Sequence, residues 1–398
     1  MENQAKQNAA VSNSLPQERG LPPSAPLTGW HKTALGAIFL VALLTQLWRF
    51  TDSYGLAYET GFQERIARRH LDPGLSVTRG LSTINNLGPE PTYHPTHPPL
   101  MQLTLAGMMA ILGDSEATAR LIPLVSYLLL LGGIWKLTRG YLSPRARLLA
   151  LAAALFCPLS FYAGRIVNFE PPAMACVVWT LVFAESLNRR PSRWAWFGLL
   201  AVGMTGTLID WPYPLFVSCF FGLSFFRKDR NPAYQRGVWS LFVISLGLSV
   251  LYALYVWTSG AMPTLLHHAK VQTGAYSAEN GFQLPPVLIS PLWWWSLLKR
   301  AGTYGTPVLL GILVGWWFYI LRRKQWRAGL AHLGMVLSVF CFGYLILFAR
   351  ASHHHVWCLF YLAPLICLVF GLVADRLKPI LGYALLAGVV VFALPMNY

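Results

Sequence analysis

Eleven apolar segments, each bounded by charged residues, Pro or Gly, constrain this chain more than any other feature of its sequence. They fall near residues 34–50, 118–136, 147–163, 171–188, 195–209, 213–226, 238–258, 305–321, 331–348, 356–373 and 379–395. Segments of this length and apolarity are typical of helices that cross a bilayer. Because 55% of the residues are hydrophobic and only 12% are charged, an ordinary soluble domain is excluded. The sequence therefore predicts an all-α polytopic membrane protein.

The first 30 or so residues differ from the rest of the chain. They are polar and rich in Pro and Ser, and they lack the apolar core and cleavage site of a signal peptide. We expect residues 1–33 to form a disordered cytoplasmic tail and residues 34–398 to form a single membrane domain. The six cysteines all lie in apolar segments without pairing or metal-binding spacing, so no disulfide framework is expected.

One further apolar segment is THPPLMQLTLAGMMAILG at 96–113. Its length alone does not decide whether it crosses the membrane. As a helix its apolar part would reach roughly 22 Å, against about 30 Å of hydrocarbon. If it does not cross and the N-terminus is inside, 20 of the 31 lysines and arginines fall in the tail and the inner loops. If it crossed, every later basic loop would face outward, against the positive-inside rule. The charges therefore predict a bundle of about 11 transmembrane helices, with 96–113 as an interfacial or re-entrant helix at the outer face.

The net charge of +16 is explained by the lysines and arginines of the predicted cytoplasmic loops, so no nucleic-acid partner is expected. On this topology 10 of the 15 acids and 8 of the 10 histidines lie on the outer side. Two long outer loops, about 51–117 and 260–304, are too long to be simple connectors. The first contains YETGFQERIARRHL, whose pattern predicts a second interfacial helix, and the second has a polar part that suits a mobile cover. A functional site is therefore expected on the extracytoplasmic face of the cytoplasmic (inner) membrane.

Three acids at the outer side are site candidates, each with a structural alternative. Glu59 is at a helix start, where it is either a capping-turn acid or a general base. Glu170 is at the outer end of two spans and is either a site residue or the partner of Arg165 in a structural ion pair. Asp210 precedes Trp-Pro, so it is either a turn residue or a site residue.

The sequence also has three consecutive histidines, 353–355, at the outer mouth of the tenth apolar segment. Adjacent residues of a helix point about 100° apart, so all three cannot bind one ion on a regular backbone. We expect one or two of them, His354 and His355 among the candidates, to face a cavity.

These features resemble the GT-C membrane glycosyltransferases, specifically the dolichol- or polyprenyl-phosphate-dependent group of protein O-mannosyltransferases and lipid A aminoarabinose transferases. The resemblance is carried by YETGFQERIARR, by HPPL, by EATARLIP and by a Gly-Arg pair followed by an acid. It covers roughly residues 50–190 well, and the C-terminal half only through its span pattern and HHHVWCLFYLAP. The family's first-loop motif is commonly Asp-Glu, and here Tyr58 stands in the place of the Asp, leaving Glu59 as the only acid.

The resemblance implies transfer of a hexosyl or pentosyl group from a polyprenyl-phosphate-linked donor to an acceptor outside the membrane, with inversion at the anomeric carbon. Carried over by position, Glu59 is the general base, and Arg120 and Arg165 bind the donor phosphate. His97, Tyr58 and Glu170 are then cavity residues. The sequence identifies neither the acceptor, which is a lipid, a glycan or a protein, nor the oligomeric state.

A divalent metal is a further possibility. His94, His97 and Glu170 are candidate ligands, although their spacing is not diagnostic of a metal site. Two alternatives to the transferase also stay open. A lipid or solute transporter or flippase would carry ionisable groups at mid-membrane depth and often inverted repeats, which this sequence does not show. A polymerase or ligase of lipid-linked oligosaccharides would use the same face and the same lipid.

Overall fold

The computed structural model describes residues 26–48, 57–83, 93, 95–273, 276–277, 281–282, 290–323, 327 and 329–397, and these are almost entirely helical. The helices of the first half are α1 (Gly29–Leu47), α2 (Ala57–Arg69), α3 (Leu75–Thr78), α4 (Leu100–Leu112), α5 (Glu116–Thr138), α6 (Pro144–Phe156), α7 (Pro158–Ala163), α8 (Glu170–Arg189) and α9 (Arg193–Ile209). Those of the second half are α10 (Pro212–Ser224), α11 (Pro232–Thr258), α12 (Met262–Thr273), α13 (Pro291–Gly305), α14 (Pro307–Arg323), α15 (Gly329–Leu347), α16 (Ala349–His354), α17 (Leu362–Arg376) and α18 (Pro379–Asn397). A π-helical turn, His70–Gly74, joins α2 to α3. A hairpin of two two-residue strands, β1 (Tyr276–Ser277) and β2 (Gly281–Phe282), follows α12.

Each of the eleven predicted spans corresponds to a helix or a pair of helices, with differences at the ends. Helix α1 begins five residues before the predicted start, because Thr28 caps it. The Thr28 hydroxyl lies 2.6 Å from His31 Nδ1, and the Thr28 backbone N–H donates to the same nitrogen. The third predicted span is divided into α6 and α7 at Pro158, which has no N–H to continue the helical ladder.

Among the described residues, four helices are long and apolar enough to cross a membrane: α1, α5, α11 and α15. A fifth span is formed if α13 and α14 are counted as one broken helix. These two are bent by 112° around Thr306, whose φ of +61° lies in the left-handed region. Helices α4 and α10 are apolar but shorter. The chain is a multi-pass membrane protein, while the count of eleven crossings and the interfacial placement of α2 and α4 stay predictions.

The core is formed where α8 packs against α5 and α9, α11 packs against α9, and α17 packs against α6. Glycines allow the closest of these approaches, as is typical of helix packing in membranes. A Cβ at Gly206 of α9 would lie 2.5 Å from the ring of Tyr213, and one at Gly237 of α11 would lie 2.7 Å from Leu187. The first of these contacts holds α9 and α10 together beside Asp210 and Trp211, the two residues between them, which both line a cavity.

A buried ionic network holds the opposite end of the bundle together, where the charge pattern predicts the cytoplasm. Arg227 is fully buried and donates to Glu185 at 2.8 Å and to Asp229 at 2.7 Å. Asp229 in turn accepts the backbone N–H of Gly329. Burial raises the pKa of the Asp229 carboxyl, but hydrogen bonds and the charge of Arg227 outweigh this, so its pKa lies below the ordinary value. The network therefore connects α8, the α10–α11 loop and the start of α15 through charged groups.

Candidate active site

A cavity of about 670 Å³ lies where α2, the turn before α4, the start of α8, the α9–α10 junction, α12 and the α15–α16 region meet. Four residues that the sequence singled out line it: His97, Glu170, Asp210 and His355. They come from four separate parts of the chain, so the tertiary structure assembles the site. Within the part of the chain that the structure describes, this cavity is the candidate active site.

Asp210 and His97 form the central polar contact of the cavity. Asp210 caps α9 and is only 1% exposed, and its Oδ1 lies 2.8 Å from His97 Nδ1. Its second oxygen accepts a hydrogen bond of 2.9 Å from the Tyr361 hydroxyl. Because Nδ1 is engaged with the carboxyl, Nε2 is the ring nitrogen of His97 left to meet a ligand. Asp210 is therefore a positioning residue as well as a cavity residue.

The backbone on both sides of His97 is also fixed by distant side chains. The Tyr252 hydroxyl donates to the His97 carbonyl at 2.9 Å, and the indole N–H of Trp211 donates to the Thr96 carbonyl at 3.0 Å. The imidazole stacks on the Phe169 ring with centroids 4.0 Å apart. These contacts hold the His-Pro-Pro turn in one position, and they explain why a Trp follows Asp210 in the sequence.

Glu170 is the first residue of α8 and is followed by two prolines, as suits a helix start. A carboxylate at this position is favoured by the helix dipole. Glu170 is almost fully buried, and it acts electrostatically on the hydroxyls of Tyr344 and Tyr361 together with Asp210. The buried carboxyl groups of Glu170 and Asp210 therefore line the same cavity as His97.

A chain of hydrogen bonds runs from Ser82, which follows α3, to the cavity. The Ser82 hydroxyl donates to Gln102, the Gln102 amide donates to Gln63 at 3.2 Å, and the Gln63 amide lies 3.5 Å from Asn168 Oδ1. Asn168 Oδ1 also accepts the backbone N–H of Phe169. Gln63 and Asn168 line the cavity, so this chain fixes α2 and α4 relative to the start of α8.

The proposed base, Glu59, lies in the first turn of α2. Its side chain and that of Tyr58 are outside the described residues, as are His94 and the side chain of His354. Positions four apart share a face of a helix, so Glu59 precedes by one turn the cavity residue Gln63. Its role as base stays a prediction.

The two arginines predicted to bind phosphate are outside the cavity lining, in contact with protein groups. Arg165 donates to the carbonyls of Thr45 and Trp48 at the C-terminal end of α1, and its guanidinium lies over the Phe161 ring. It therefore stabilises the end of α1, where carbonyls lack partners. Its role toward phosphate stays a prediction.

Arg120 belongs to an ionic cluster between α2, α4 and α5. It pairs with Glu116 one turn earlier, while Arg68 donates to both oxygens of Asp114 and contacts Glu64. Burial raises the pKa of the Glu64 carboxyl, and Arg68 only partly opposes this. The cluster contains both signs of charge, so Arg120 is already partly neutralised by acids.

Part of the cavity wall is apolar. It comprises Leu265 and Leu266 of α12, Leu347, and Phe348. Three further polar groups, His268, Gln272 and His355, are interspersed in this wall, and the sequence did not identify the first two. A cavity lined by both polar and apolar side chains suits a ligand that has a polar head and an apolar chain.

No group of three or more His, Cys, Asp or Glu side chains suitable for a metal ion is found among the described residues. His97 and Glu170 do share the cavity, but His94 lies outside the described part, so a metal held by the three stays a prediction. The side chains that sequence reasoning missed, Tyr252, Trp211 and Tyr361, carry no motif. Tyr361 does fall within the HHHVWCLFYLAP segment, which is the signal that was available.

Comparisons with known proteins agree with this architecture. Residues 96–257 match the family model of dolichyl-phosphate-mannose-protein mannosyltransferases. No curated protein sequence matches the chain significantly. The structure of ArnT from Cupriavidus metallidurans bound to undecaprenyl phosphate superimposes with a TM-score of 0.59 at 17% identity, over 93% of this chain and 64% of ArnT. Its apo form gives a TM-score of 0.56 at 16% identity, over 90% and 62%.

The oligosaccharyltransferase of Archaeoglobus fulgidus in its apo form gives a TM-score of 0.57 at 10% identity, over 92% of this chain and 56% of that one. The chain therefore spans less than two thirds of the length of these neighbours. The fold defines its class: it is a multi-pass membrane protein with the GT-C fold. The match over residues 96–257 and the ArnT structures agree with the more particular resemblance that the sequence predicted, to the polyprenyl-phosphate-dependent GT-C transferases.

Proposed function

We propose that this protein transfers a sugar from a polyprenyl-phosphate-linked donor to an acceptor on the extracytoplasmic face of the inner membrane. The observation that carries the proposal is the cavity itself. It is lined by His97, oriented by buried Asp210, and by Glu170, together with apolar side chains of α12 and the α15–α16 region. The polar groups suit a sugar phosphate, and the apolar side chains suit the first part of a prenyl chain. The undecaprenyl phosphate bound to ArnT, a protein of the same fold, supports a lipid-phosphate donor.

The proposed reaction is an inverting displacement. The carboxylate of Glu59 takes the proton of an acceptor hydroxyl as its oxygen forms a bond to the anomeric carbon. The bond from that carbon to the phosphate oxygen breaks, and polyprenyl phosphate leaves with the electron pair. Attack from the side opposite the phosphate inverts the anomeric carbon. The product carries a hexosyl or pentosyl group, and the acceptor is a lipid, a glycan or a protein.

The leaving phosphate requires positive charge, which the proposal assigns to Arg120 and Arg165. Both contact protein groups through a terminal nitrogen in this structure, and a guanidinium has five N–H donors, so these contacts do not prevent either arginine from binding phosphate oxygens as well. His97 contributes a nitrogen that faces the cavity, and Glu170, Asp210 and His355 surround the sugar. The proposal also puts the N-terminus in the cytoplasm. On this orientation the basic loops and the Arg227 network lie on the cytoplasmic side.

The test is a transfer assay in detergent, where transport across a sealed bilayer is impossible. The purified protein is incubated with radiolabelled polyprenyl-phosphate sugars and membrane extract as acceptor. We expect one donor to lose its label, with release of polyprenyl phosphate and a labelled product whose anomeric configuration is inverted. If no donor is consumed while the protein still binds them, the transferase proposal is wrong. Mass spectrometry of lipid-linked sugars and surface glycans in a deletion strain then identifies the sugar and acceptor.

A further inference from the structure

A second depression lies at the other end of the bundle, far in the fold from the candidate active site. It is a groove of about 900 Å³ between the start of α9 and the first two turns of α11. The helices approach closely at its base because Gly237 of α11 packs directly against Leu187 and Leu199. The groove therefore belongs to the packed helix bundle and does not depend on a loose loop.

Two arginines line this groove, Arg193 at the start of α9 and Arg236 in α11, and both are exposed. Neither forms an ion pair with an acid anywhere in the described ranges. Arg193 lies over the ring of its neighbour Trp194, and Arg236 makes a long contact of 3.4 Å with the Pro232 carbonyl. The two guanidinium groups therefore bring positive charge to the groove that the protein does not neutralise.

Three other basic side chains near the groove have partners. Arg189 and Arg227 pair with Glu185, and Arg230 donates to the carbonyls of Ser224 and Phe225. Arg193 and Arg236 differ from Arg189 and Arg227 in having no acidic partner among the described residues. An anion with two or more oxygens would satisfy Arg193 and Arg236 at once, since guanidinium groups bind phosphate through paired hydrogen bonds.

Tryptophans indicate the level of the lipid headgroups at the same place. Trp196 and Trp239 line the groove, and Trp194 beside it is 71% exposed. Tryptophan is enriched at membrane interfaces, where its ring lies among headgroups. These tryptophans favour a position of the groove at headgroup level, at the end of the bundle predicted to face the cytoplasm.

An apolar strip continues from the groove along α11. Val243, Leu246 and Val250 are each about half exposed and follow Trp239 at helical spacing, so all four share one face of the helix. A ligand whose head occupied the groove would lay a hydrocarbon chain along this strip. Free phosphate would use the arginines alone and would leave the strip and the tryptophans without a role.

We propose that the groove between α9 and α11 is a binding site for one anionic glycerophospholipid. Its phosphate contacts Arg193 and Arg236, its glycerol region packs between Trp196 and Trp239, and an acyl chain follows the strip on α11. Basic pockets between helices at the cytoplasmic side of membrane proteins suit such headgroups. The site is independent of the proposed transfer reaction, because it uses none of the residues of the active-site cavity.

The test is native mass spectrometry of the full-length protein, purified in detergent and titrated with dioleoyl phosphatidylglycerol or dioleoyl phosphatidylcholine. We expect the wild type to hold one phosphatidylglycerol at least tenfold more tightly than phosphatidylcholine. The double substitution R193Q and R236Q should reduce this preference to less than threefold. A matched control, R322Q with K378Q, removes two charges from exposed positions at the same predicted face and should keep the preference.

Size-exclusion profile and thermal stability establish that both variants are folded before the titration. A wild type without preference for phosphatidylglycerol overturns the proposal. So does an equal loss in the control, which would mean that net charge alone attracts the lipid. Displacement of the bound lipid by 10-fold excess inorganic phosphate would assign the groove to free phosphate instead and would also overturn it. None of these outcomes depends on whether the protein transfers a sugar.

Discussion

Asp210 Oδ1 and His97 Nδ1 lie 2.8 Å apart although 113 residues separate them in the sequence. The contact joins the turn before α4 to the end of α9, and the Tyr361 hydroxyl on the other carboxyl oxygen adds the region before α17. Three remote segments therefore meet at one buried carboxylate. This relationship determines which nitrogen of His97 reaches the cavity.

The first prediction concerns this carboxylate. In D210N an amide replaces an acceptor of nearly the same shape, so it donates to Nδ1 and reverses the tautomer of His97. Because catalytic groups depend on such orientation, we expect turnover to fall by about 100-fold or more with little change in folding. The measurement is kcat for transfer from a polyprenyl-phosphate sugar. Y361F removes only the outer hydrogen bond and should cost less than about tenfold. Wild-type turnover in D210N would contradict the role given to Asp210.

The second prediction concerns the proposed base. E59Q keeps the size of the side chain but cannot accept a proton, so we expect transfer to fall by about 10²–10⁴-fold while donor binding is retained. Single-turnover assays with labelled donor measure the chemical step, and co-purification of lipid donor measures binding. E64Q, a matched change in the same helix, should keep most of the activity. Near wild-type turnover in E59Q would remove Glu59 from the mechanism.

The third prediction concerns the pH dependence of stability. The pKa of Glu64 is raised in the folded protein, so folding favours its protonated form. Its contribution to stability is therefore greatest below its ordinary pKa and is lost as pH rises through the raised value. The glutamine introduced by E64Q cannot ionise. The melting temperature of E64Q should therefore be higher than that of the wild type at pH 7.5, and the two melting temperatures should become equal towards pH 4. Thermal denaturation at a series of pH values measures this, and a difference that grows on acidification would contradict it.

The fourth prediction concerns the ionic network at the other end of the bundle. R227A removes the buried guanidinium that pairs with both Glu185 and Asp229, which should cost about 3–5 kcal/mol of the free energy of unfolding. R227K keeps the charge but not the paired geometry, so its free energy of unfolding should lie between those of the wild type and R227A. Unfolding in mixed micelles with increasing SDS measures the free energy of each variant. R322Q, an exposed arginine, should change the free energy by less than about 0.5 kcal/mol, and a similar small effect in R227A would show that the network is not stabilising.

Much of the fold follows from the sequence. Each of the eleven apolar segments became helical, and so did the two patterns of the first outer loop, at Ala57–Arg69 and Leu100–Leu112. The reason is local: an apolar segment in lipid has no water to bind its backbone N–H and C=O groups, so these groups must form hydrogen bonds within the segment, as they do in a helix. The departures also have local causes, such as the Thr28 cap and the interruption at Pro158.

The sequence by itself determined the class of structure and the residue types of the site, because apolar runs and an uneven distribution of charge along the chain are local properties. It singled out His97, Glu170, Asp210 and His355, and these line one cavity. Only the tertiary structure decided how they are arranged: that Asp210 orients His97, that Tyr252 and Trp211 hold its backbone, and that Arg165 donates to the end of α1. Such contacts arise from the packing of helices distant in sequence, and no spacing along the chain encodes which side chains will meet.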